Sequence, residues 1–123
     1  MLWIGDPLSM SIKRGDVFYV NLDPTKGSEQ SGIRPVLVIQ NDVGNEYAPT
    51  VIVAPFTTKA FTKQYPTNVN VAKHIGGLKE DCTALLSQIR TIDKSRLERK
   101  LGHLPSAVME EIDEAIKVSL AIV

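Results

Sequence analysis

Apolar residues fall in short blocks along the chain, split by polar Gly- and Pro-containing stretches, until one long helical period closes it. Asp16-Val17-Phe18-Tyr19-Val20-Asn21 is β-branched and aromatic, follows Gly15 and stops at Asp23-Pro24, so it reads as a first strand. Pro24 to Arg34 is polar, with two glycines and no apolar period, which predicts a long mobile loop. Pro35 to Gln40 is a continuous apolar run, the pattern of a strand buried on both faces. Asn41 to Pro49 reads as a turn with its tip at Val43-Gly44-Asn45. Thr50 to Thr57 is a third strand, and its Pro55 is expected at an edge or bulge because proline cannot donate to a ladder.

Thr67 to Val71 alternates polar and apolar as a fourth strand. Ala72 to Gly77 reads as a turn, Cys82–Leu86 with Gln88–Ile92 as a bent strand or a pair, and Ser95 to Lys100 as a single 3₁₀ or α turn. Pro105 suits the first turn of a helix, along which Val108, Ile112, Ala115, Ile116, Ser119, Leu120 and Val123 recur at three- and four-residue steps. Strands that follow one another without intervening helices predict an antiparallel sheet closing as a small β-barrel, mainly β with a C-terminal helix.

A chain of 123 residues, 43% hydrophobic and 23% charged, is one globular domain. Met1 to Ser9 lacks any pattern and reads as an N-terminal extension, frayed or tag-like, with the domain proper over residues 10–123. No apolar run approaches the roughly 18 residues of a membrane span. The opening residues lack the basic start and apolar core of a secretory signal, so the expected location is the cytoplasm. A single cysteine, Cys82, excludes an intrachain disulfide and a cysteine-rich zinc site.

The formal net charge is zero, but it is segregated. From Pro105 onward the balance is −3, and over the first 104 residues it is +3. A basic groove able to hold a phosphate chain is therefore compatible with the neutral total. The plainer alternative is an acidic surface helix beside a mixed body.

No Gly-rich phosphate loop is present; Lys26-Gly27-Ser28 is not one. His74 and His103 sit in turn-like segments without metal-ligand spacing, and Cys82 opens an apolar strand as a small hydrophobe would. Metal-free chemistry without a cofactor is what remains. Arg34 lies between the polar loop and the buried second strand, and Thr57 and Thr58 end the third, followed by Lys59. If those strands pair as a hairpin, Arg34 and Thr57 meet at one rim under the loop. A five-donor cation beside a hydroxyl suits a phosphoryl group in a charge-rich transition state. The competing account has Arg34 paired with a surface carboxylate and Thr57 as a strand former.

The motifs Lys13-Arg14-Gly15-Asp16-Val17, Gly27-Ser28-Glu29-Gln30, Arg34-Pro35-Val36-Leu37-Val38-Ile39-Gln40-Asn41 and Gln88-Ile89-Arg90-Thr91-Ile92-Asp93 occur in this order, ahead of the acidic amphipathic helix. In that arrangement, from about Met10 to Val123, the chain resembles the MazF/PemK family of toxin endoribonucleases. Cys82 departs from the resemblance, standing where a serine is common. The resemblance implies an SH3-like barrel of the MazF/CcdB type, a homodimer, and a toxin that cuts single-stranded messenger RNA at specific sequences. It implies metal-independent attack by the ribose 2′-hydroxyl, leaving a 2′,3′-cyclic phosphate and a 5′-hydroxyl. Arg34 and Thr57 would be the catalytic pair. Arg34 would stabilise the pentacoordinate phosphorus and protonate the leaving oxygen rather than act as a base, since a guanidinium hardly deprotonates. Glu29, Gln30, Thr58, Ser87 and Gln88 would line the groove and read bases, with Lys59 and Arg90 adding positive charge. A MazE-like antitoxin with an acidic, partly disordered tail would lie along the same groove.

Two readings compete. A CcdB-type gyrase poison needs a recognition tail on the last helix, where Ser119-Leu120-Ala121-Ile122-Val123 offers only apolar packing. A non-catalytic SH3-like binding module usually exposes several groove aromatics, whereas Phe18, Tyr19 and Phe56 lie in apparent strands.

Overall fold

The computed structural model describes residues 11–123. The expected extension over residues 1–9 lies outside them. Seven strands and two helices follow in the order β1 (Asp16–Asn21), β2 (Ile33–Val38), α1 (Asp42–Tyr47), β3 (Thr50–Thr57), β4 (Asn68–Val71), β5 (Cys82–Leu85), β6 (Arg90–Asp93), β7 (Leu97–His103) and α2 (Ser106–Leu120). Along the sheet the order is β4-β5-β3-β2-β1-β7, with β6 also pairing with β3, and all pairs are antiparallel.

Both faces of the central strands are buried where they cross the core, which is why β2 is apolar over Pro35–Val38; the strand begins at Ile33, two residues before the expected Pro35, and so includes Arg34. On one face Val17, Leu37, Ala54 and Phe56 pack beneath Ile112 and Ala115 of α2. On the other, Phe18, Val20, Val36, Val38 and Val53 gather with Ile92 and Leu97. Alternate residues of β1, β2 and β3 thus feed two cores. Arg14 ties α2 to the sheet: its Nη2 donates to Asp113 Oδ1 at 2.7 Å and its Nε to the Ile39 carbonyl at 2.8 Å.

The expected closed SH3-like barrel is not formed; the sheet is open. Among the described residues β4 and β7 are its two ends, and no ladder joins them. The segment after β4 explains why. His74, Gly76 and Gly77 have positive φ of 77°, 64° and 77°, a backbone that cannot extend as a strand. This turn docks backbone to backbone against β7, so closely that a Cβ on Gly77 would lie 2.0 Å from the Leu101 carbonyl oxygen. A packed turn and α2, which also contacts β4, cover the space that a closing ladder would need.

Three local expectations also change. Asn41 to Pro49 is not a plain turn: Asn41 accepts from Gly44 N at 2.8 Å and caps the short helix α1. Ser95 to Lys100 is not one turn. A 3₁₀ turn at Lys94–Arg96 leads directly into β7, whose Glu98-Arg99-Lys100 run is exposed because it forms a sheet end. Pro55 lies on a central strand, opposite Val36, at the point where β3 changes partner from β6 to β5. No helix among the described residues is long and apolar enough to cross a membrane.

Candidate active site

The β2–β3 pairing sets the centre of the site. Val36 faces Pro55 and Val38 faces Val53, and continuing that register by two residues sets Arg34 opposite Thr57. The guanidinium is held from two sides: Nε donates to the Ser31 carbonyl at 2.8 Å and Nη1 to the Phe56 carbonyl at 3.2 Å. Those bonds use two of its five N–H groups and leave the other three for a ligand. Thr57 is buried, and its Oγ1 accepts from Lys59 N at 3.2 Å, so its own hydrogen remains available to donate. Arg34 and Thr57 line one cavity of about 250 Å³ together with Thr58.

A second cavity, about 540 Å³, gathers Glu29, Gln30, Ser87, Gln88 and Arg90. Its wall is the loop after β1, which is pinned rather than loose at its ends. Leu22 N donates to the Gly32 carbonyl at 2.9 Å, and Gly32 N to Asp23 Oδ1 at 3.1 Å. Glu29 Oε1 accepts from Lys26 N at 2.7 Å, closing a turn within the loop. Gln88 Oε1 accepts from Gln30 N at 2.8 Å, and Arg90 Nη1 donates to the Leu22 carbonyl at 3.1 Å. Gln88 and Arg90 therefore shape the loop as well as line the cavity. Lys59 lies apart from this group, in a third cavity of about 510 Å³ that shares Thr58 with the Arg34 cavity.

Sequence reasoning missed Tyr19, Lys79, Glu80 and Cys82 as neighbours of Arg34 and Thr57. No local pattern marks them. The pairing of Thr57 with Thr83 brings the start of β5, and the residues before it, to the end of β3. The Cys82 thiol is pushed up, first by burial and then by the negative charges of Glu80 and Asp81, and its Sγ donates to the Glu80 carbonyl at 3.3 Å. It is a protonated side chain, not an activated nucleophile. Neither histidine lines these cavities. His74 is an exposed turn residue, and His103 Nδ1 pairs with the buried Asp16 Oδ1 at 2.8 Å. Among the described residues no three His, Cys, Asp or Glu side chains gather as a metal site.

A cation and a hydroxyl are thus held at adjoining strand ends in one cavity, which shares Thr58 and Cys82 with the cavity of Lys59. Comparison with known proteins makes the class definite. The sequence model described as PemK-like, MazF-like toxin of type II toxin-antitoxin system matches residues 13–120. Endoribonuclease EndoA of Bacillus subtilis (strain 168) is 49% identical over 114 residues, covering 93% of this chain and 98% of that protein. MazF (Form-I) from Deinococcus radiodurans is 28% identical with a TM-score of 0.76, over 89% of this chain and 96% of that one. A MazE-MazF crystal structure (Form-II) from the same organism gives 28% identity and a TM-score of 0.71, over 91% and 97%. The chain belongs to the PemK-like, MazF-like toxins of type II toxin–antitoxin systems.

Proposed function

We propose that this toxin is an endoribonuclease that cuts single-stranded RNA in the cytoplasm, with Arg34 and Thr57 at the reacting phosphate. The observation that carries the reading is their shared cavity, with the guanidinium fixed by the Ser31 and Phe56 carbonyls and three N–H groups left over. A rigid fork already oriented before substrate arrives needs no reorganisation as charge builds on the phosphoryl oxygens. The ribose 2′-oxygen attacks phosphorus, the bond to the 5′-oxygen breaks, and a 2′,3′-cyclic phosphate and a 5′-hydroxyl result. Arg34 donates hydrogen bonds to the equatorial oxygens and to the departing 5′-oxygen, which takes its proton from solvent water; Thr57 donates a further hydrogen bond. Among the described residues Glu80 is the one carboxylate lining this cavity, and it takes up the proton of the attacking 2′-hydroxyl. No metal ion is needed for these steps, and DNA, lacking the attacking group, is left intact.

Glu29, Gln30, Ser87 and Gln88 line the adjacent cavity, where unstacked bases present edges to polar side chains. Two copies of the chain side by side lengthen the groove so that several bases are read. A MazE-like antitoxin with an acidic tail competes with RNA for Arg34, Lys59 and Arg90. The test is cleavage of messenger RNA by purified protein in EDTA, with product ends mapped. Cyclic phosphate and 5′-hydroxyl ends, absent with Arg34→Ala, are expected; gyrase-dependent DNA breaks with intact RNA would reject the reading.

A further inference from the structure

The segment joining β3 to β4 alternates cations and rings at Lys59, Phe61, Lys63 and Tyr65, and it forms no strand or helix. Phe61 and Tyr65 meet edge to face, with ring centroids 6.1 Å apart and planes at 80°. Lys59 Nζ sits 5.3 Å from the centre of the Phe61 ring. Tyr65 is 48% exposed, so a large aromatic surface faces solvent instead of a core. These four side chains line the cavity of about 510 Å³, and Thr58 and Cys82 border both it and the Arg34 cavity. The aromatic cavity thus continues the reaction site on a different set of residues from the polar cavity of Glu29 and Gln88.

Resting on the endoribonuclease reading, we infer that Phe61 and Tyr65, flanked by Lys59 and Lys63, form a stacking subsite for an RNA base beside the scissile phosphate. Every base has a flat face, so rings hold a nucleotide whatever its identity, while the lysines follow the backbone charge. One side of the scissile phosphate is then read by hydrogen bonds, and the other is gripped by stacking. The acidic residue in this cavity, Asp81, accepts from Lys73 N at 2.8 Å.

The test uses an RNA oligonucleotide carrying the mapped cleavage sequence, with a 2′-deoxyribose at the cut so that it binds uncut. 2-Aminopurine is placed singly at each flanking position. Wild-type protein is expected to quench the fluorescence at a position on one side of the cut. Phe61→Leu with Tyr65→Leu should abolish that quench and weaken binding by about tenfold or more. Tyr65→Phe, which keeps the ring, should restore both, and circular dichroism checks that each variant folds. Equal quenching and affinity in the folded double variant would overturn the inference while leaving the nuclease intact. Failure of the wild type to cut RNA would instead remove the functional reading on which it rests.

Discussion

At Arg34 the backbone and the chemistry are separable. The Ser31 and Phe56 carbonyls fix the Nε and Nη1 side of the guanidinium, and a lysine cannot hold those two acceptors and a phosphate together. Arg34→Lys should therefore lower kcat by about 100-fold or more, the scale of a lost transition-state donor, with a smaller change in KM. Thr57→Ala should cost less, and Thr57→Ser should recover most of the loss; single-turnover cleavage of a labelled RNA measures all three. Asp16 is a residue of another kind. Its buried carboxylate accepts from Lys13 N at 2.8 Å and pairs with His103 at 2.8 Å and Lys100 at 3.1 Å. Asp16→Ala removes those three bonds at the mouth of β1, and since Lys100 and His103 are about half exposed and can turn to water, it should destabilise by about 1 kcal/mol in urea unfolding. The Gly-Asp-Val motif marked Asp16 as part of a resemblance, but only the pairing of β1 with β7 explains it.

At the level of elements, turns decide the outcome. Gly77 combines a φ of 77° with a Cβ position 2.0 Å from the Leu101 carbonyl oxygen, so Gly77→Ala must push the 72–78 turn off β7. A loss of about 3 kcal/mol or more is expected in a thermal melt. Helix α1 is held at both ends. Asp42 Oδ1 accepts from Arg14 N at 2.7 Å, and the buried Lys94 ammonium donates to the Gly44 carbonyl at 3.4 Å and to that of Asn45. Burial pushes the Lys94 amine down. The backbone N–H of Arg14, then the side-chain amide of Asn45, donates to the Asp42 carboxyl and holds it below its ordinary range. A depressed carboxyl stabilises the fold above its unfolded value and ceases to do so as pH falls through the folded one. Asp42→Ala should therefore narrow the stability gap between neutral pH and the acid side of the aspartate range, as urea titrations at both would show. Sequence periodicity detected the strands with apolar interiors but not α1 or β7. Both are largely polar, without an apolar period, and they are stabilised by partners remote in sequence.

For the whole molecule, charge segregation matters more than the neutral total. Lys59, Lys63 and Arg90 line cavities along β3 and the loop after β1, while four acids and one base lie on α2. RNA binding should weaken steeply with salt, with a log–log slope of about −0.7 per phosphate contacted, and an acidic peptide should compete with RNA in the same assay. Sedimentation should show a dimer at the concentrations where cleavage is measured. A monomer cutting at full rate would argue that one copy of the groove suffices.

Local order is where the chain speaks for itself. β1, β3 and the C-terminal helix are legible because apolar, β-branched blocks bounded by turn residues and a 3.6-residue apolar period are short-range properties, and Arg34 and Thr57 stand out at the ends of two such blocks. Tertiary structure decided the rest. Whether the sheet closed depended on a left-handed turn packing its backbone against β7, and which residues joined Arg34 and Thr57 depended on β5 pairing with β3. Both are contacts between distant segments, and nothing in the neighbourhood of either segment encodes its partner.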